Sequence, residues 1–156
     1  MDCVLDAHGV KSVVAALNVL ARHGGMLRGG RSLRLAVAEV KASETGRTIR
    51  IIYARSGRAS VASYSAEEGF GRELAAVVGR LEAADRFEVE SALRLLARCG
   101  LLFGGRDFSK RVDDVRFDTC GRLRIRYADG KERAVYRGRA RLLINLRLVR
   151  LKKAAC

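Results

Sequence analysis

Three arginines at alternate positions of one short segment form the pattern with the clearest chemical meaning. Arg122, Arg124 and Arg126 are separated by single apolar residues, Leu123 and Ile125. Alternate side chains of a β-strand point to the same face, so the segment predicts a strand with three guanidinium groups on one side, here called the arginine ladder. Guanidinium groups bind phosphate oxygens through paired hydrogen bonds. The ladder therefore predicts a surface that binds a phosphate backbone.

The chain stays basic after the ladder. Lys131, Arg133 and Arg137 lie at alternate positions of the next predicted strand, and no acidic residue follows Glu132. A solvated sheet face is the alternative explanation. Such faces usually mix charges of both signs, whereas we expect this one to be mostly positive. A basic C-terminal segment of this kind is commonly a nucleic-acid-binding arm, and otherwise a solubilising tail.

Two glycine pairs stand beside arginines. Residues 28–31 read RGGR and residues 103–106 read FGGR. Glycine lets the backbone approach a phosphate closely, but a turn that needs a positive φ explains these glycines equally well. Neither segment is a P-loop, because the lysine and hydroxyl residue of that motif are missing. The predicted nucleic-acid-binding residues are Arg28, Arg31, Arg50, Arg106, Arg122, Arg124, Arg126, Lys131, Arg133, Arg137, Arg139, Arg141, Arg147, Arg150, Lys152 and Lys153.

The chain contains two similar halves. Residues 16–22 (ALNVLAR) match residues 92–98 (ALRLLAR), and residues 49–54 (IRIIYA) match residues 123–128 (LRIRYA). The offset is 76 residues for the first match and 74 for the second, and the slips fall at loops, where insertions are tolerated. We therefore predict a tandem duplication, with one repeat at residues 1–80 and a second, more basic repeat at residues 81–156.

The spacing of apolar residues predicts the same elements in both halves. Each repeat should be an α-β-β-β-α unit, although the alternation in its last segment, residues 139–151, also fits a strand. The predicted fold class is α+β, with antiparallel sheets, helices on one face and a pseudo-twofold arrangement of the repeats. The predicted helices are 10–23, 74–81, 89–99 and 139–151; the strands are 33–37, 48–54, 59–64, 111–118, 122–128 and 132–137; the loops are 26–31 and 100–107; and the hairpin turns are 56–57 and 129–130, with both residues of the last turn at positive φ.

Net charge restricts the class of partner. The 156 residues include 31 Lys or Arg and 17 Asp or Glu, which gives a net charge of +14. This favours RNA, DNA or an anionic membrane surface. No apolar run is long enough to cross a bilayer, and the acidic N-terminus lacks the basic region of a signal peptide. We expect a cytoplasmic protein without a membrane partner, and the scarcity of Asn and Gln with abundant charge predicts a hyperthermophilic, archaeal source.

No residue pattern predicts catalysis. His8 and His23 are isolated, and the acids weighed for a metal-dependent nuclease site are Asp6 and Asp114. We expect no enzymatic activity, no cofactor and no bound metal. No spacing typical of metal ligands occurs among the cysteines, so we expect buried thiols, with 99 and 120 the pair if a disulfide forms. The cysteines are Cys3, Cys99, Cys120 and Cys156.

These observations favour a monomeric, non-enzymatic RNA-binding protein. We expect association with ribosomal RNA, as a ribosomal component or a translation-inhibiting factor that bridges two RNA sites. The aromatic content of 6% is low for a single-strand binder, which favours structured RNA. The second repeat should dominate binding, since residues 76–156 carry a net charge of +10 and residues 1–75 carry +4. The alternatives are a single-stranded DNA-binding or chromatin protein, and a degenerate metal-dependent nuclease.

Overall fold

Two helices and twelve strands make up the computed structural model, which describes residues 3–54, 60–66, 70–135 and 139–152. The protein is α+β, as predicted, with a large antiparallel sheet. The helices are α1 (Ala7–Arg22) and α2 (Ala83–Arg98); the strands are β1 (Cys3–Leu5), β2 (Leu27–Gly29), β3 (Leu35–Ala42), β4 (Thr48–Tyr53), β5 (Ser60–Ser65), β6 (Glu73–Val78), β7 (Leu102–Gly104), β8 (Lys110–Phe117), β9 (Leu123–Tyr127), β10 (Glu132–Val135), β11 (Ala140–Asn145) and β12 (Val149–Leu151); short 3-10 turns lie at Arg31–Leu33 and Leu146–Leu148.

Ten strands form one sheet in the order β10-β9-β8-β7-β11-β6-β2-β3-β4-β5. From the central β6–β11 pair outward, the first half runs β6-β2-β3-β4-β5 and the second half runs β11-β7-β8-β9-β10. In both halves, the strand nearest the centre is thus the last of the five in the chain, and the other four follow in chain order. Both the β3–β4 pair and the β8–β9 pair contain a bulge, between Val37 and Glu39 and between Val112 and Asp114. The remaining strands, β1 and β12, pair in parallel and form a separate two-stranded sheet.

The helices cover one face of the sheet. In α1 the apolar side chains recur at helical spacing, and the Asp6 side chain accepts a 2.7 Å hydrogen bond from the Gly9 amide at its N-terminus. α1 packs on β3, α2 packs on β8, and the helices also pack on each other. One hydrophobic cluster therefore includes residues from both halves of the chain.

Side chains from the helices also bond backbone groups of β3 and β8 where these strands extend beyond their short neighbours β2 and β7. Asn18 of α1 donates a 2.6 Å hydrogen bond to the Val40 carbonyl and accepts a 2.8 Å bond from the Val40 amide. In the second half, Glu90 of α2 accepts a 2.8 Å bond from the Phe117 amide. These contacts therefore satisfy backbone groups of β3 and β8 at positions where the neighbouring short strand does not reach.

The helices predicted over 74–81 and 139–151 are wrong. These segments form β6 and, in the second case, β11, a 3-10 turn and β12. Leu74, Ala75 and Ala76 are fully buried, since β6 lies in the middle of the sheet. A strand buried on both faces has a continuous apolar run in its sequence, which shows neither the spacing of a helix nor the alternation of a half-buried strand. The predicted loops at 26–31 and 100–107 likewise contain the short strands β2 and β7, so among the described residues each half has one helix and six strands rather than an α-β-β-β-α unit.

The turn at residues 129–130 differs in type from the prediction. Gly130 has a φ of +87°, but Asp129 is not among the non-glycine residues with positive φ. The Gly130 amide bonds the Tyr127 carbonyl, and the Tyr127 amide bonds the Lys131 carbonyl. These bonds define a three-residue hairpin loop with a glycine bulge, in which one positive φ is sufficient. The turn predicted at residues 56–57 lies outside the described residues.

Candidate nucleic-acid interface

The arginine ladder is paired with carboxylates. As predicted, alternation along β9 leaves the three ladder arginines partly or fully exposed and buries the residues between them. Arg122 Nε lies 2.9 Å and Arg124 Nε 3.3 Å from Asp118 Oδ2. Arg126 Nη2 lies 3.2 Å from Asp113 Oδ2. Each ladder arginine therefore already has an anionic partner.

The prediction that this face is mostly positive is wrong. Arg116 and Arg124 both contact Glu132, at 3.2 and 3.7 Å. Arg94 reaches the same network from α2, with its Nε 2.9 Å from Asp114 Oδ1. Hydrogen bonds from the Arg122 backbone, and then its guanidinium, lower the pKa of Asp118, so this carboxylate is firmly ionised at neutral pH. A phosphate at the ladder would have to displace these carboxylates.

Packing explains the first glycine of each glycine–arginine loop. A Cβ atom on Gly29 would lie 2.7 Å from Leu74 Cδ2 and 3.0 Å from the Tyr53 ring. One on Gly104 would lie 3.1 Å from Leu142 Cδ2 and 3.2 Å from the Tyr127 ring. Each glycine thus allows a tyrosine and a leucine to pack against the backbone of its short strand, which supports the structural explanation for this position.

The second glycine of each loop, and a bulky residue shortly after it, have left-handed backbone conformations. Gly30 and Gly105 have φ values of +76° and +87°, and three residues further on Leu33 and Phe108 have φ values of +55° and +57°. Positive φ is unfavourable for bulky residues, so both loops hold strained backbone at matching positions. Such strain is concentrated at functional sites more often than elsewhere, which keeps the loops as candidates for ligand binding.

The second glycine–arginine loop, residues 103–106, lines a basic cleft of about 580 Å³, here called the second-loop cleft. Four cationic side chains border it, and Lys110 Nζ lies 5.6 Å from the centre of the Tyr127 ring. The two acids of the lining both have partners. Asp107 accepts hydrogen bonds from Ser109 and also interacts with the charge of Lys110, and Glu132 contacts the ladder network. Within the described part of the chain, none of the four cations has a carboxylate within 4 Å. They are Arg106, Lys110, Lys131 and Arg133.

Two smaller clefts of about 360 Å³ each gather further basic residues. The first-loop cleft contains Arg31, Arg72 and Arg147, with Glu73 3.9 Å from the Arg147 guanidinium. The third cleft lies where α1 ends and contains His23 with three arginines. Those arginines are Arg28, Arg80 and Arg139. Seven of the predicted residues thus fall in three clefts, namely Arg28, Arg31, Arg106, Lys131, Arg133, Arg139 and Arg147.

The other predicted residues within the described part of the chain do not line these three clefts. Arg50 and Lys152 are exposed, Arg141 lies 5.9 Å from the Phe108 ring, and Arg150 bonds the carbonyls of residues 147 and 149. Arg137 and Lys153 lie outside the described residues.

Sequence reasoning missed Lys110, Arg72 and Arg80, which line the clefts. Arg72 and Arg80 flank β6, so the wrong helix prediction for that segment concealed that they border clefts. Lys110 begins β8 directly after the second loop, and its sequence position next to Arg111 was a usable signal.

The acids considered for a nuclease have structural partners instead. Asp6 caps α1, and Asp114 contacts Arg94. The expectation of buried thiols is wrong for Cys120, which is exposed, whereas Cys3 and Cys99 are partly buried and lie beside each other. Burial, followed by the neighbouring Cys99, raises the pKa of Cys3 to about 11. Burial also raises the pKa of Cys99.

Neither helix in the described part of the chain is long and apolar enough to cross a membrane. Comparison with protein-family models, with curated proteins and with solved structures finds no match to this chain.

Proposed function

We propose that the protein is a cytoplasmic, monomeric and non-enzymatic RNA-binding protein that associates with ribosomal RNA. The observation that carries the proposal is the second-loop cleft, where none of the four cations has a carboxylate within 4 Å among the described residues. Phosphate contacts supply most of the sequence-independent affinity for nucleic acid, and unneutralised Lys and Arg side chains make them at the least cost. The ladder is a weaker candidate, since its arginines are already paired.

We also propose that the two halves are tandem repeats related by a pseudo-twofold axis, with the first repeat at residues 1–80 and the second at 81–156. Matching strand orders, matching bulges and the two equivalent glycine–arginine loops support this proposal. The axis would pass through the antiparallel pair of Ala75 and Leu143. With strands about 4.8 Å apart and about 3.3 Å of rise per residue, Gly29 and Gly104 lie roughly 16 Å apart.

Two basic loops at this separation can contact two phosphate sites on one folded RNA, or bridge two RNA segments. The burial of Tyr127, the aromatic residue that lines the second-loop cleft, favours structured RNA over a single strand. Tyr127 is only 6% exposed and lies beneath Lys110, so its ring is not available to stack on a base. Recognition through backbone and shape is typical of structured RNA.

Competition binding tests the proposal. Structured ribosomal RNA fragments, duplex DNA and single strands of equal length are titrated at several salt concentrations. We expect the tightest binding to structured RNA, with an affinity that falls steeply as salt increases because counterions are released. Preference for single-stranded DNA, or an affinity independent of salt, would contradict the proposal. Strand cleavage that requires Mg²⁺ or Mn²⁺ would support the nuclease alternative instead.

A further inference from the structure

Three side chains with metal-ligating atoms meet where α1 ends and α2 begins. One ligand atom from each of His23, Asp85 and Glu88 lies within 4.8 Å of the others. His23 Nε2 is 2.7 Å from Glu88 Oε1. Asp85 and Glu88 are three residues apart on α2 and therefore share a face of that helix. The cluster was not visible in the sequence, because His23 belongs to the other half of the chain.

Charges of both signs lie near the cluster, because the third cleft beside His23 contains three arginines. Among the described residues, no Lys or Arg lies within 4 Å of the Asp85 carboxylate, although the chain has a net charge of +14. His23 follows the last turn of α1, where the helix dipole and unpaired carbonyl groups also attract positive charge. The imidazole is mostly buried, with 15% of its side chain exposed, which limits competition from bulk water.

We propose that His23, Asp85 and Glu88 bind one divalent first-row transition metal ion of the Zn²⁺, Co²⁺ or Mn²⁺ class. One imidazole nitrogen and two carboxylate oxygens suit this class of ion, and three protein ligands leave a position for water or another ligand. Ligand atoms about 2.0–2.2 Å from a tetrahedral ion lie roughly 3.3 Å apart. Small side-chain rotations produce this spacing, and Glu88, with 44% of its side chain exposed, has room to make them.

A bound ion would connect the end of α1 to the start of α2, and so the two halves of the chain. His23 also lines the third cleft, so the ion would add positive charge beside the three arginines there. The site shares no residue with the second-loop cleft. Failure of the metal proposal would therefore leave the RNA-binding proposal intact, and the reverse also holds.

Metal titration of chelator-treated protein tests the site. Zn²⁺ binding is measured by calorimetry, thermal unfolding is followed with and without Zn²⁺, and the absorption spectrum is recorded with Co²⁺. We expect one ion per chain and a higher unfolding temperature with Zn²⁺, because the ion binds the folded state. We expect His23→Gln, Asp85→Asn and Glu88→Gln each to weaken binding at least tenfold. The control His8→Gln removes an exposed histidine on the first turn of α1 and should bind like the unmodified protein.

Two results with the unmodified protein, and one with a double variant, would overturn the proposal. One is the absence of stoichiometric binding, which would make the cluster an ion pair only. The other is an intense near-ultraviolet charge-transfer band with Co²⁺, which would assign the ion to a thiolate. Unfolding of each variant without metal shows whether it folds, and a double variant of Asp85 and Glu88 that keeps its affinity would also contradict the site.

Discussion

Neutralising the second-loop cleft should weaken RNA binding far more than removing the same charge from the ladder. The cleft variant replaces Arg106, Lys131 and Arg133 by Ala, and all three side chains are exposed and unpaired in the described part of the chain. The ladder variant replaces the three ladder arginines by Ala. Both variants lower the net charge from +14 to +11, so they differ in the place and not in the amount of charge removed.

The expected size follows from counterion release. Each phosphate contact contributes about 0.9 to the slope of log affinity against log salt, so three lost contacts reduce the slope by about 2.7. If the variant and the unmodified protein bind equally at 1 M salt, a slope lower by about 2.7 corresponds to an affinity about two orders of magnitude lower at roughly 0.15 M salt. The ladder variant should lose less than about tenfold, because its arginines exchange carboxylate partners for phosphate.

Fluorescence anisotropy with a structured RNA at several salt concentrations measures both quantities. Urea unfolding of each variant provides the control for folding. Equal losses from the two variants would refute the assignment of binding to the cleft, and a larger loss from the ladder variant would show that phosphates displace the carboxylates of Asp118 and Glu132.

Three further experiments test the packing. Asn18→Ala should lower the free energy of unfolding by about 1–3 kcal/mol, measured by urea unfolding, because two backbone groups on a strand edge lose their partner. Gly29→Ala should cost about 1–3 kcal/mol by overpacking, whereas Gly24→Ala, with nothing within 4 Å of the new Cβ, should be tolerated. In alkylation followed by mass spectrometry at neutral pH, exposed Cys120 should react before Cys3, whose raised pKa of about 11 keeps it protonated; equal rates would contradict this burial.

Local sequence patterns were sufficient to predict the helices and strands that bury only one face in the core. Helical spacing predicted α1 and α2, and alternation predicted the strands that form β3, β4, β8 and β9. The central strand β6 was mispredicted because it is buried on both faces, so that Leu74, Ala75 and Ala76 show no alternation. The alternation of β11 did fit a strand, but similarity to the first half favoured a helix there. Burial on two faces is a property of the assembled sheet and is not encoded in a local period.

The site was predicted by residue type but not by environment. The basic residues of the second loop were identified from the sequence. The carboxylates that neutralise the ladder come from β8, from the turn between β8 and β9, and from β10, so their pairing depends on sheet register and turn geometry. Arg124 and Glu132, for example, meet only because β9 and β10 form a hairpin. The His23 cluster depends in the same way on the packing of α1 against α2.

The parallel pair of β1 and β12 has a consequence for the order of folding. Cys3 pairs with Val149, so this contact closes nearly the whole chain into a loop, with an entropic cost of about 4 kcal/mol for a flexible chain before other contacts exist. Three residues of parallel pairing cannot offset such a cost early. The hairpins and helices therefore form first and bring the two segments together, so that β1 and β12 join last in refolding. The same segments should separate first when the native state opens locally, and their amides should exchange with solvent before those of the central sheet.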